Sequence, residues 1–133
     1  MNRLELARTS LGLDELRVVN LFPTATYRTT DISSAGTDPR IWESARPSIQ
    51  KAIADADAIL LAYGVGEPNG PARAWYRSQL AWLELLITAS AVPTFHVGGG
   101  PRHPSRWHRW TRLEFPEIPF EVALRLALTR DRT

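Results

Sequence analysis

Cysteine is absent from the 133 residues, which removes disulfides, thiolate metal sites and cysteine nucleophiles from the chemistry open to the chain. Lysine is almost absent too. Lys51 stands alone, and arginine supplies nearly all of the 16 cationic side chains. Arginine keeps its charge and forks two donors toward a carboxylate or phosphate. Long apolar runs are missing as well. "AILLAY" and "WLELLITASAV" fall short of the ~20 residues that cross a bilayer. The opening "MNRLELARTS" carries an early acid and no continuous apolar stretch, unlike a secretory signal. A soluble, cytoplasmic protein with no membrane partner is the expectation.

What is present bounds the rest. The length suits a single domain over residues 1–133, given ~100–200 residues per domain. Formal net charge is only +2, but the charge is unevenly spread. Between Arg102 and Arg112 lie four arginines, His103 and His108, with Trp107 and Trp110 among them and no acid. Such a block suits an anionic partner, and it also describes an ordinary solvated helix face. The two tryptophans suit either stacking on a base or packing the segment down.

Apolar periodicity gives an alternating order of elements. Residues 3–11 read as a helix, and "ELRVVNLF" (15–22) as a strand covered on both faces, because its apolar residues fall on both parities. "PTATYRTTDISSAGTDPR" (23–40) reads as a long polar loop, a length that usually carries function or disorder. Residues 39–57 follow as helical, with Pro47 required to start a turn or kink it. "AILLAYG" (58–64) is a strand, and 71–90 a helix opened by Pro71. "VPTFHVG" (92–98) is a strand, a short helix capped by Ser105 comes next, and "FEVALRLALTR" closes as a helix.

Helices alternating with strands predict an α/β fold. We expect a small three-layer α/β/α sandwich around a three- to four-stranded, mainly parallel sheet with strands near 16–22, 58–63 and 93–97. Ligands of such sheets sit outside the carboxyl ends of the strands. The segments after the three strands, "PTATYRTTD", "GVGEPNG" and "GGGPRHPSRW", are therefore expected along one rim. A sheet this small has an exposed edge, which predicts a homodimer or an N-terminal segment folded over it.

The rim holds the candidate binding residues. Gly98, Gly99 and Gly100 can take positive φ and turn their N–H groups toward an oxygen ligand. Arg102 adds a fork, His103 a single donor and Ser105 a hydroxyl. Thr26, Arg28 and Thr30 are expected on the facing loop. "GVGEPNG" has glycines before a helix, but Glu67 and the lack of a following lysine set it apart from a phosphate-binding loop. His96, His103 and His108 form no metal pattern, and arginines surround two of them. No metal or cofactor is implied. Asp31, Asp38 and Glu67 are the loop acids that could serve as a general base.

Three segments, "LRVVNLFPTATYRTTD" (16–31), "ADAILLAYGVG" (56–66) and "GGGPRHPSRW" (98–107), resemble in the same order an uncharacterised bacterial and phage family. Its members read "LNPSTAD", "VVNLFALRATDP", "AWGNHG" and "GHPRHPLYL". That family in turn resembles the uracil-DNA glycosylase superfamily. The resemblance implies that Asn20 matches the strand asparagine and His103-Pro104-Ser105 the late "HPS" motif near the scissile bond. It also implies that the first strand and its "LNPSTAD" turn are missing here, leaving catalysis open. Three functions follow as expectations. One is a nucleotide- or nucleic-acid-handling enzyme with a glycosylase-like anion-binding rim. The others are a non-catalytic nucleic-acid-binding module and a structural or assembly subunit. The expected ligand is anionic: a nucleotide, phosphate or DNA.

Overall fold

Asn2 caps the first helix by accepting the Glu5 N–H at 2.8 Å, and so begins the part of the chain that the computed structural model describes, residues 2–23 and 29–130. Helix α1 covers Arg3–Ser10, α2 Thr29–Ala35, α3 Pro39–Glu43 and α4 Arg46–Asp55. Strand β1 is Ile59–Leu60 and helix α5 is Pro71–Ser90. Strand β2 is Thr94–Val97, followed by a 3-10 turn at Pro104–Arg106, helix α6 at Trp107–Glu114, α7 at Phe120–Ala127 and strand β3 at Leu128–Arg130. The protein is thus a mixed α/β chain with one small three-stranded sheet ordered β1-β2-β3.

The sheet is mixed. β1 and β2 pair in parallel, with Ile59 beside Thr94 and Leu60 beside Phe95, as the alternation of strand and helix predicts. β2 and β3 pair antiparallel, with Phe95 beside Arg130 and His96 beside Thr129. The third strand therefore comes from the C-terminal segment, where helical periodicity predicts a continuous helix. The helix stops because the Ala127 carbonyl accepts the Gly98 N–H at 2.8 Å. Leu128 then turns extended, at φ −70° and ψ 106°, and the next residues join β2.

The expected strand at 16–22 does not form. Residues 15–20 carry no strand pairing, and Leu16 and Val18 are 41% and 59% exposed. An apolar run with both parities needs cover on two faces, and here Leu16, Val18 and Val19 are exposed while only Leu21 and Phe22 pack into a core. Inside the expected loop at 23–40, α2 and the start of α3 are helical. Asp38 caps α3 by accepting the Arg40 N–H at 2.9 Å, with Pro39 in the first turn. Pro47 falls in the first turn of α4, and α3 and α4 are separate helices, as the proline requires.

The described residues gather into two compact units. One comprises residues 2–18, 58–65 and 93–130. Its core is Ala7, Val97, Trp107, Leu124 and Ala127, all buried. The helical stripe on α7 explains its share: Ala123, Leu124 and Ala127 lie three and four apart and face inward. The other unit comprises residues 19–57 and 66–92 and is helical. Trp42 sits at its centre, edge-on to Phe22 at 4.8 Å and to Tyr76 at 6.0 Å. Fully buried Gln79 ties this core together. Its Nε2 donates to the carbonyls of Leu21 (3.1 Å) and Trp42 (2.9 Å), and its Oε1 accepts from Arg46 Nε at 2.9 Å. Among the described residues no helix is long and apolar enough to cross a membrane.

Candidate functional site

The loops after β1 and β2 meet, as parallel strands require. The Gly64 N–H donates to the Pro101 carbonyl, and a Cβ at Gly64 would stand 3.8 Å from that of His103. The glycines of the second loop serve its turn. Gly98 and Gly99 have φ of 69° and 77°, and Val97 bridges back to Gly100 across them, the conformation of a tight turn with two left-handed residues. Gly98 also lies under Trp110, where a Cβ would come within 2.6 Å of Cζ2. Its N–H is committed to Ala127, so it is not turned toward a ligand.

Arg102 is committed as well. Its Nη1 donates to the carbonyls of Val97 (3.1 Å) and Gly98 (2.8 Å), and its guanidinium lies 5.1 Å from the Trp110 ring centroid. The arginine thus satisfies acceptors that the tight turn leaves open. His103 is exposed and caps the 3-10 turn: its Nδ1 accepts the Ser105 N–H at 3.2 Å and stands 2.9 Å from Ser105 Oγ. Asn20 is exposed and belongs to the helical unit. Thr26 and Arg28 lie outside the described residues, and Thr30 and Asp31 fall on the backbone of α2.

The uncommitted cations lie one element further on. Helix α6 buries Trp107 and Thr111 and half-buries Trp110, a stripe at i, i+3 and i+4. The tryptophans therefore pack the segment down. The opposite stripe starts in the 3-10 turn and presents Ser105, His108, Arg109 and Arg112, all exposed. With Arg3 of α1 and Leu113 these residues line a shallow, open cleft of about 540 Å³. No acid lines it. Arg3 is fixed in place, because its Nη1 donates to the Pro104 carbonyl at 2.7 Å and its guanidinium lies 5.9 Å from the Phe120 ring centroid. The His108 ring packs against the same Phe120, 5.1 Å away. Among the described residues, the guanidinia of Arg109 and Arg112 have no hydrogen-bonding or ion-pair partner.

Two of the three loop acids, Asp38 and Glu67, are engaged elsewhere. Arg40 hydrogen-bonds Asp38 and holds its carboxyl below the ordinary value. Arg77, bonded to Glu67 at 2.9 Å, does the same there, with help from Arg73. A general base at neutral pH needs the opposite shift. Among the described residues no group of three His, Asp or Glu side chains could hold a metal ion.

The cleft's lining differs in part from the residues expected on the rim. Ser105 is common to both, and Arg109, Arg112 and His108 belong to the basic block. Arg3 carries no local signal, since its partner Pro104 is 101 positions away. The helical spacing of 108, 109 and 112 is the signal that could have grouped those three on one face.

Residues 1–105 match the family described as "Protein of unknown function (DUF1643)". No curated protein and no solved structure matches the chain. The matched stretch stops at Ser105, so α6, α7 and β3 lie beyond it, although they supply Trp107, Leu124 and Ala127 to the core.

Proposed function

The chain belongs to the DUF1643 family, and from that premise we propose that it is a nucleic-acid-binding module whose binding face is the cationic cleft of α1 and α6. One observation carries the reading. Three arginines, a histidine and a serine line one concavity in which, among the described residues, there is no acid and two of the guanidinia have no partner. Exposed guanidinia without a protein partner stay available to a ligand, and phosphate oxygens match the guanidinium fork. Arg102 does not compete for the role, because it serves its own loop.

The test is binding of duplex DNA followed by fluorescence anisotropy across a salt series. Each phosphate contact contributes about 0.9 to the slope of log affinity against log salt. The double change Arg109→Ala, Arg112→Ala should lower that slope by about 2 and weaken binding to every sequence alike. DNA binding whose salt slope the double variant leaves unchanged overturns the reading, as does an absence of binding at low salt.

A second reading, a glycosylase-like or nucleotide-handling enzyme, draws on His103 and Ser105. Their 2.9 Å pairing places a histidine and a hydroxyl beside the same cleft, in the segment that resembles the glycosylase "HPS" motif. Release of a free base from a damaged or uracil-containing oligonucleotide, lost in His103→Ala, would favour it over plain binding.

A further inference from the structure

We propose that the cleft of α1 and α6 takes a phosphate monoester, the terminal phosphate of a nucleic-acid strand, in preference to the diesters along its backbone; this rests on the nucleic-acid reading above. Its shape and charge both point that way. A protein that follows a backbone spreads its cations along the strand, one for each singly charged diester. Here Arg3 comes from one helix and Arg109 and Arg112 from another, yet all three line a single concavity. A terminal phosphate carries about −1.5 to −2 charge at pH 7 and three unesterified oxygens. It can therefore engage several guanidinia at once, where a diester offers two such oxygens and one charge.

Arg3 also brings preorganisation. One of its nitrogens is anchored on the Pro104 carbonyl and its plane lies near Phe120. The rotamer is set before a ligand arrives, so less side-chain entropy is lost on binding. Leu113, 74% exposed at the cleft, offers apolar surface to the sugar or base that carries the phosphate. The cleft's volume of about 540 Å³ lies in the ~300–1,000 Å³ range of small-molecule sites.

The experiment compares single-stranded 12-mers of one sequence bearing a 5′-phosphate, a 3′-phosphate or hydroxyl ends, with a nucleoside monophosphate as competitor. One or both phosphorylated strands should bind at least about tenfold more tightly than the hydroxyl strand, the scale of one additional charge-assisted hydrogen bond. Which end is preferred identifies the source of the monoester. Arg112→Gln, at an exposed side chain with no partner to lose, should erase the preference. Arg3→Lys, which keeps the charge but not the fork, should reduce it. Equal affinity for all three strands, with binding intact, overturns this inference and leaves the nucleic-acid reading standing. A preference that survives Arg112→Gln places the phosphate elsewhere and also overturns it. Failure of all three strands to bind overturns the reading beneath it.

Discussion

Alanine in place of Gly98 should cost far more than alanine in place of Gly99, although the two are neighbours with nearly the same φ. Both backbones are left-handed, at 69° and 77°, where a Cβ costs about 1–2 kcal/mol. Their surroundings differ. Beyond Gly99 nothing lies within 4 Å of the new methyl. Beyond Gly98 the methyl would meet Trp110 at 2.6 Å, 2.7 Å and 2.9 Å. Trp110 is held by Phe115 edge-on at 6.3 Å and by Arg102 above its ring, so it cannot swing clear without giving up both contacts. Overpacking of this kind adds about 1–3 kcal/mol. Gly98→Ala should therefore destabilise by about 2–5 kcal/mol and Gly99→Ala by about 1–2 kcal/mol. At about 4 °C per kcal/mol for a chain of this size, the Tm values should fall by roughly 8–20 °C and 4–8 °C. Thermal melts by circular dichroism read the difference directly. DNA affinity of Gly99→Ala, measured below its Tm, should match the parent protein. Equal losses of Tm would refute the packing argument. A Gly99→Ala variant that is fully folded but has lost its ligand would mean that the turn serves binding after all.

Gln79→Leu should cost about 2–5 kcal/mol despite its similar volume, because the buried Trp42 carbonyl, the part-buried Leu21 carbonyl and the Arg46 side chain lose their partner; denaturant unfolding with an unchanged m-value would report it, and a neutral result would refute the bridging role. Gly36→Ala should destabilise the same unit, since a Cβ there would stand 2.8 Å from the Ile32 carbonyl oxygen and 2.9 Å from Trp42; a melt unchanged within error would contradict it. The Glu67 carboxyl is held below its ordinary value of 4.5, chiefly by the Arg77 hydrogen bond. Its contribution to stability is thus fully present above pH 4.5 and is lost as the pH falls through the lowered value. The small Tm gap between the parent and Glu67→Gln should accordingly close in strong acid, and a gap that widens on acidification would reverse the sign of this argument.

Much of the architecture was legible because it rests on local chemistry. Pro71 in the first turn and the apolar stripe of 71–90 mark α5, and the β-branched run around Phe95 marks β2. The parallel pairing of β1 and β2 follows from the helix between them. What escaped depends on contacts distant in sequence. Leu128 leaves the helix because Gly98, some thirty residues earlier, captures the last helical carbonyl. Val18 and Val19 carry the composition of a buried strand, yet no partner covers them. The site divides in the same way. The basic block was visible, but which of its cations face solvent was not. Arg102 points home only because a tight turn exposes two carbonyls beside it, and Arg3 reaches the cleft through a bond spanning 101 positions.

The most direct measurement of the central claim is a titration of isotope-labelled protein with a 5′-phosphorylated 12-mer, followed by backbone amide and arginine side-chain NMR. The account predicts that the largest shift changes fall on Arg3, Ser105, His108, Arg109 and Arg112, the residues that line the cleft. The Arg102 guanidinium, whose Nη1 is held by internal bonds, and the Gly98 amide should move little. Shift changes centred on the helical unit, around Asn20 or the Glu67–Arg77 pair, with the α6 face undisturbed, would contradict it.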